Sequence, residues 1–345
     1  MVQPSKPSLK DVAQRAEVSV ATVSRMLNGS LELPEQTRQR IEAAIRALNY
    51  QPNPHARRLS RGRSDTIGLV VPDIANPFFA MLVAAVEEAA DEQKLALSLY
   101  ATLNRQGREV AYLELIERNH VDGLIFITNH PDDGSLGDLI NRTGNVVVVD
   151  EDVPNAHAPK LFCDNEQGGR LAGELLAENG HRNVLFVGGP DQMISARRRY
   201  KGLADSLSNH FRTEIRPQRY EGDYTEAFGR EAAQRYIAEG AVPTAIFASS
   251  DEIAIGLIEV LRAQGISIPG DVSIIGFDDV GPLHLFAPPL TAIRQPVRSI
   301  GRRALSLLTE TDWKTRGNVP SEELLPVEIV VRESVAPCAK PQPQR

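Results

Sequence analysis

Two hydrophobic patterns divide the chain. Up to about residue 50, apolar side chains recur at helical spacing in three short groups: Val12, Ala13 and Ala16, then Val23, Met26 and Leu27, then Ile41, Ala44, Ile45 and Leu48. Each group predicts a short amphipathic helix, and together the three stripes can close one small core. From residue 65 onward, continuous apolar runs of strand length alternate with helical stretches instead. A first series predicts strands at 66–74, 95–100, 123–127 and 146–150, with helices at 77–93 and 107–119. A second predicts helices at 164–179, 195–207, 225–239 and 251–264, with strands at 184–187, 218–220, 245–248 and 273–276. A helix at 297–309 and a strand at 327–332 follow. Two successive β/α series imply two parallel-sheet lobes with helices on both faces. Ligands then bind beyond the carboxyl ends of the strands, where Asp73, Asn76, Thr128, Asp150, Ser250, Asp251, Asp278 and Asp279 stand.

The caps sharpen the N-terminal reading. Ser8 can cap the first helix with Asp11 as its reciprocal acidic partner. Glu17-Val18-Ser19 makes the break, Ser19 caps the second helix at Val20, and Asn28-Gly29 stops it. With Val23, Met26 and Leu27 buried, Val20, Ala21, Thr22 and Arg25 project from the exposed N-terminal half. That is the layout of a helix-turn-helix, whose second helix enters the DNA major groove N-terminus first. Leu33-Pro34-Glu35 opens the third helix. Asn53 followed by Pro54 can start a further helix to Ser60, too short to be stable alone.

Composition and charge narrow the class. The 345 residues exceed one ordinary domain and suit a small module on a larger body, and 42% hydrophobic content supports real cores. No apolar run reaches membrane-spanning length and no signal-peptide pattern opens the chain, so a cytoplasmic protein without a membrane partner is expected. Cys163 and Cys338 have no metal or redox spacing, and neither metal nor cofactor is expected. The net charge of −7 hides an asymmetry: residues 1–63 carry +6 and the rest −13. A basic head on an acidic body fits a DNA reader joined to a sensor.

The segment DVAQRAEVSVATVSRMLNG resembles the N-terminal signature of the lactose/galactose-repressor family of bacterial transcription regulators, and the similarity continues through Leu48-Asn49-Tyr50-Gln51-Pro52-Asn53. The family usually has glycine where this chain has Glu17, so a turn needing positive φ there would cost about 1 kcal/mol or more. The resemblance implies an all-α helix-turn-helix headpiece at 1–52, a hinge helix and linker at 53–64, and a two-lobed, periplasmic-binding-protein-like α/β sensor at 65–335. Lobe 1 is expected at about 65–161 and 291–323, lobe 2 at about 162–290 and 324–335, with a disordered tail at 336–345. In the family the hinge helix orders on the operator and inserts a leucine into the minor groove. Leu59 holds that place here, with Ala56 and Arg57 beside it. Ser19, Ser24 and Asn28 are expected on phosphates, and Val20, Ala21, Thr22 and Arg25 on bases.

For the body, SARRRYKG matches a family segment whose last arginine, Arg199, reaches the effector. VSIIGFDD places an effector-binding aspartate at Asp278, and Gly222-Asp223-Tyr224 a covering aromatic at Tyr224. Asn76-Pro77-Phe78-Phe79 supplies the first-lobe wall through Asn76 and Phe78, and Asp150 and Ser250 are further carry-overs. Arginine, aspartate and an aromatic face suit a small polyhydroxylated ligand. Arg197, were it turned inward, would favour an acidic sugar.

The expected function is a ligand-responsive, sequence-specific repressor, a homodimer on double-stranded palindromic operator DNA, released by a sugar or sugar acid. A nucleobase-responsive, co-repressed regulator is the alternative within the family. A sugar-binding protein without DNA role would lack the headpiece. An enzyme is not expected, because no GxGxxG, P-loop, GxSxG or HExxH motif is present. The tail carries no leucine heptads, so a dimer is expected rather than a tetramer.

Overall fold

The computed structural model describes residues 7–27, 31–50, 64–116, 118, 120–311, 313 and 322–338. The chain divides into two compact units, residues 1–65 and 66–345. The expected hinge helix, with Ala56, Arg57 and Leu59, and the helix stop at Asn28 lie outside the described residues.

The first unit contains α1 (Leu9–Arg15), α2 (Val20–Leu27) and α3 (Glu35–Leu48). Ser8 and Asp11 form the reciprocal capping box on α1, and Ser19 Oγ accepts from Thr22 N at 3.0 Å to cap α2. Val12, Ala13, Ala16, Val23, Ile41 and Ala44 are buried together, with Met26, Leu27, Ile45 and Leu48 against them. The turn between α1 and α2 does require positive φ: Glu17 sits at φ 53°, stabilised there by a Val18 N bond to Ala13 O. The exposed Glu17 carboxylate approaches Arg40 at 3.9 Å, too far and too wet to offset much.

The second unit holds two six-stranded sheets. The first has the order β11-β5-β4-β3-β1-β2, all parallel, built from β1 (Thr66–Val71), β2 (Ala96–Ala101), β3 (Gly123–Phe126), β4 (Val146–Val149), β5 (Lys160–Cys163) and β11 (Glu323–Leu325). The second has the order β12-β10-β9-β8-β6-β7. Its strands are β6 (Val184–Gly188), β7 (Gln218–Glu221), β8 (Ala245–Ala248), β9 (Ser273–Asp278), β10 (Thr291–Arg294) and β12 (Glu328–Val330), with only β12 antiparallel. Around them lie α4 (Pro77–Glu92), α5 (Gln106–Leu113), α6 (Ser135–Thr143), α7 (Asn165–Glu178), α8 (Ile194–Phe211), α9 (Glu226–Ala238), α10 (Asp251–Ala263) and α11 (Val297–Glu310). Central strands such as Val146–Val149 are buried along their whole length, as sheets covered on both faces require.

Several expectations need correction. The sequence pattern did not show α6, β5 or β11, and α5 ends at Leu113 rather than 119. Strand β10 belongs to the second sheet, so the return to the first lobe follows residue 294 instead of 291. Strand β11 stays in the first sheet, so the last passage falls between 325 and 328. The chain therefore crosses between lobes near 163–165, 294–297 and 325–328, and Asp164 N bonds Leu325 O at 2.8 Å where two crossings run side by side. The segment expected as a disordered tail begins ordered. Ala336 O accepts from His181 Nε2 at 2.9 Å, Ala336 N bonds Ser273 Oγ at 3.2 Å, and Cys338 N bonds Asn179 O at 2.8 Å.

Candidate functional site

The carboxyl ends of β1, β4, β6, β8 and β9 converge on one cleft between the lobes of the second unit. Asn76, Phe78, Asp150, Arg199, Tyr224, Ser250 and Asp278, the residues singled out from sequence, all line it. They do not all offer free polar atoms. Asn76 Oδ1 accepts from Phe78 N at 2.8 Å and caps α4, while Ser250 Oγ accepts from Ile253 N at 3.2 Å and caps α10.

Arg199 is the cationic centre. It is 4% exposed, its Nε donates to Asn165 Oδ1 at 2.7 Å, and its Nη1 donates to the Ser249 carbonyl. The guanidinium lies over the Phe277 ring, 3.6 Å from its centroid, with the Tyr224 ring at 6.0 Å on another side. Burial opposes its charge, but the neighbouring acidic groups hold its pKa above the usual value. Its two companions diverge as helical geometry demands. Arg197 is exposed and does not enter the cleft, and half-buried Arg198 pairs with Glu322 at 2.8 Å.

Asp150, the residue after β4, and Asp278, the last of β9, lie in the left-handed region at φ 71° and 106°. Such backbone costs about 1–3 kcal/mol each and is characteristic of functional positions. Gln295 Nε2 donates to Asp278 Oδ1 at 2.7 Å, and Asp251 N approaches its other oxygen at 3.4 Å. Asp251 in turn accepts from Asp279 N, Val280 N and Gly281 N at 3.2, 2.9 and 3.3 Å, shaping the loop that presents Asp278. Burial pushes both carboxyls of this adjacent pair upward. Burial also lifts Asp150 to about 7, against the pull of Arg199 and with the help of Glu151 and Asp278. Among the described residues no hydrogen-bond donor reaches the Asp150 side chain, which faces the cleft.

Tyr224 closes the second-lobe side. Its ring passes directly over Gly189, where an added Cβ would stand 2.3 Å from ring carbons. Its hydroxyl meets Ser195 Oγ at 3.0 Å, and burial raises its pKa to about 12, so it remains a neutral donor.

Sequence reasoning missed Glu151, Ser195, Asn129 and Gln295, which also line the cleft. Ser195 was within reach, four residues before Arg199 on the same helical face. Glu151 belongs to the first lobe, yet its Oε1 accepts from Ile194 N at 2.5 Å and its Oε2 from Ser195 Oγ at 2.6 Å and Ser195 N at 3.4 Å. Nothing local in Asp150-Glu151-Asp152 announces that the middle carboxylate caps a distant helix.

In the first unit, Val20, Ala21 and Arg25 are exposed on α2 and Ser19 is exposed at its cap, while Thr22 and Ser24 are partly exposed. Thr22 Oγ1 and Ser19 Oγ bond each other at 2.8 Å.

Residues 8–53 match the bacterial regulatory proteins of the lacI family, and residues 174–335 match a periplasmic binding protein-like domain. The transcriptional repressor PurR of Mannheimia succiniciproducens is 34% identical over 331 residues, 95% of this chain and 98% of its own. The chain belongs to the lacI family. It is thus a DNA-binding transcriptional regulator with an effector-binding body. Among solved members, the lac repressor dimer bound to operator and the anti-inducer ONPF is similar at TM-score 0.82 and 28% identity, over 96% of this chain and all of that one. The transcriptional regulator CelR in complex with cellobiose is similar at TM-score 0.71 and 31% identity, over 95% and 100%. No helix among the described residues of this family member is long and apolar enough to cross a membrane.

Proposed function

We propose that this regulator is a homodimeric repressor of a palindromic operator, released when a small polyhydroxylated effector occupies the cleft. One observation carries the effector class. Arg199, Asp150 and Asp278 converge with the Phe78 and Tyr224 rings, so polar groups can read hydroxyls while an aromatic face covers the C–H side of a sugar ring. A member of the same family binds cellobiose, which supports a carbohydrate here. Val20 and Ala21 offer apolar contact to thymine methyls and Arg25 a bidentate contact to guanine, with Ser19 and Ser24 on phosphates. Exposed Leu99 on edge strand β2 and Met81 on α4 supply apolar surface for a second copy, and the similar lac repressor is a dimer on its operator.

Occupation of the cleft favours one arrangement of the lobes and thereby the spacing of the two headpieces in the dimer. Fluorescence anisotropy on duplexes selected from genomic fragments tests this reading. Neutral sugars, sugar acids, amino sugars and nucleobases are then added in turn. Binding to a two-fold symmetric site, lost on addition of a sugar, is the expected result. No preference over random duplex would reject it, and tighter DNA binding with a nucleobase would move the protein to the co-repressed class.

A further inference from the structure

The cleft is more acidic than a receptor for anions should be. Three carboxyl groups, Asp150, Glu151 and Asp278, face it against the single guanidinium of Arg199. Two of the helix N-termini at the cleft, those of α4 and α10, are capped by their own Asn76 and Ser250; α8, an 18-residue helix, has Met193 as its N-cap residue and no side-chain cap from it. Its leading N–H groups and the Ser195 hydroxyl all donate to Glu151.

We propose that Glu151 determines the charge of the effector: its carboxylate takes the position on α8 that an acidic ligand would need, leaving the effector a polyhydroxylated compound without an anionic group.

Four observations converge on this. Glu151 is 3% exposed and its oxygens are committed to α8 and to Asp152 N, so no ligand displaces it without uncapping an 18-residue helix. Asp150, the adjacent residue, presents a carboxyl that no donor among the described residues meets, a place suited to the hydroxyls or the protonated amine of a ligand and not to a second carboxylate. Arg199 has its Nε and one Nη nitrogen already engaged, and Arg197, the side chain that could have doubled the positive charge, is exposed. The bond also runs from the first lobe to the second, so the same carboxylate joins the two walls of the cleft.

The inference deepens the effector-site reading and rests on it. Its test is titration calorimetry, with thermal shift alongside, on the full chain and on Glu151→Ala and Glu151→Gln. The probes are glucose, galactose, glucosamine, galactosamine, gluconate, galacturonate and inorganic sulfate. The unaltered protein should prefer neutral or aminated probes over acids. Glu151→Ala should shift the acid-to-neutral affinity ratio by about tenfold or more toward acids, or bind sulfate, because the helix terminus is uncovered. Glu151→Gln, which keeps an acceptor on α8 and the lobes together, should shift the ratio less than Glu151→Ala. An acid binding the unaltered protein as tightly as its neutral parent overturns the proposal. So does a Glu151→Ala protein that takes up neither acid nor sulfate, or an unchanged ratio. Binding that Asp278→Asn leaves intact places the effector elsewhere and brings down both readings, whereas Asp278-dependent binding with an unchanged ratio brings down this one alone.

Discussion

Asp278 and Asp279 are neighbours in sequence and opposites in role. Asp278 faces the cleft and is held by Gln295, while Asp279 turns away to bind Arg294 at 2.7 Å and Arg332 at 2.8 Å with its side chain 3% exposed. The left-handed φ of both residues, 106° and 53°, is what sends the two carboxylates in different directions.

Their substitutions should therefore separate. Asp279→Ala leaves half-buried Arg332 without its acidic partner, though still bonded to the Leu290 carbonyl, and should cost about 1–3 kcal/mol of stability in urea unfolding. Asp278→Asn should leave the urea midpoint nearly unchanged or higher, since it removes a buried charge beside Asp251, and should weaken effector binding by about 100-fold by calorimetry.

Asp150 links stability to pH. Its carboxyl is raised in the folded protein to about 7, so the folded state holds a proton that the unfolded chain releases near pH 4. Stability from this group is complete below about pH 4 and is lost as pH rises through about 7. The thermal midpoint of the ligand-free protein should fall between about pH 5 and pH 8. Asp150→Asn should flatten that slope and stabilise the protein by about 1–3 kcal/mol at the alkaline end.

Gly189 tests the aromatic cover. In Gly189→Ala the new methyl meets the Tyr224 ring at 2.3 Å, so the ring must swing off Ser195. Effector-induced release from the operator should require about tenfold more ligand, while operator affinity without ligand stays the same.

Glu17→Gly should relieve the left-handed strain in the turn before the DNA-facing helix. A gain of about 0.5–1 kcal/mol is expected, read as slower hydrogen exchange at headpiece amides in the full chain.

The sequence exposed the headpiece almost completely because its information is local: Ser8, Ser19 and the stripe through Ile41, Ala44 and Ile45 act within a few residues. In the body, long apolar runs such as Thr66–Val71 were readable, but β5 and β11 were not. Those strands are three or four residues long and owe their existence to partners far along the chain, Glu323 to Leu161 for instance. The site divides the same way. Arg199, Tyr224 and Asp278 stand in segments with recognisable neighbours, whereas Glu151 acts on α8 more than forty residues away, and only the fold brings them together.

The three passages between the lobes have a consequence for how the molecule is made. Lobe 1 acquires α11 and β11 only from residues 297–325, after every strand of the other sheet except β12 has been translated. Neither half can mature while the ribosome is still near the middle of the message, and stop codons before about residue 290 would strand both sheets with open edges. Assembly is thus postponed until residues 297–330 have been made, and until then the open strand edges depend on protection from aggregation.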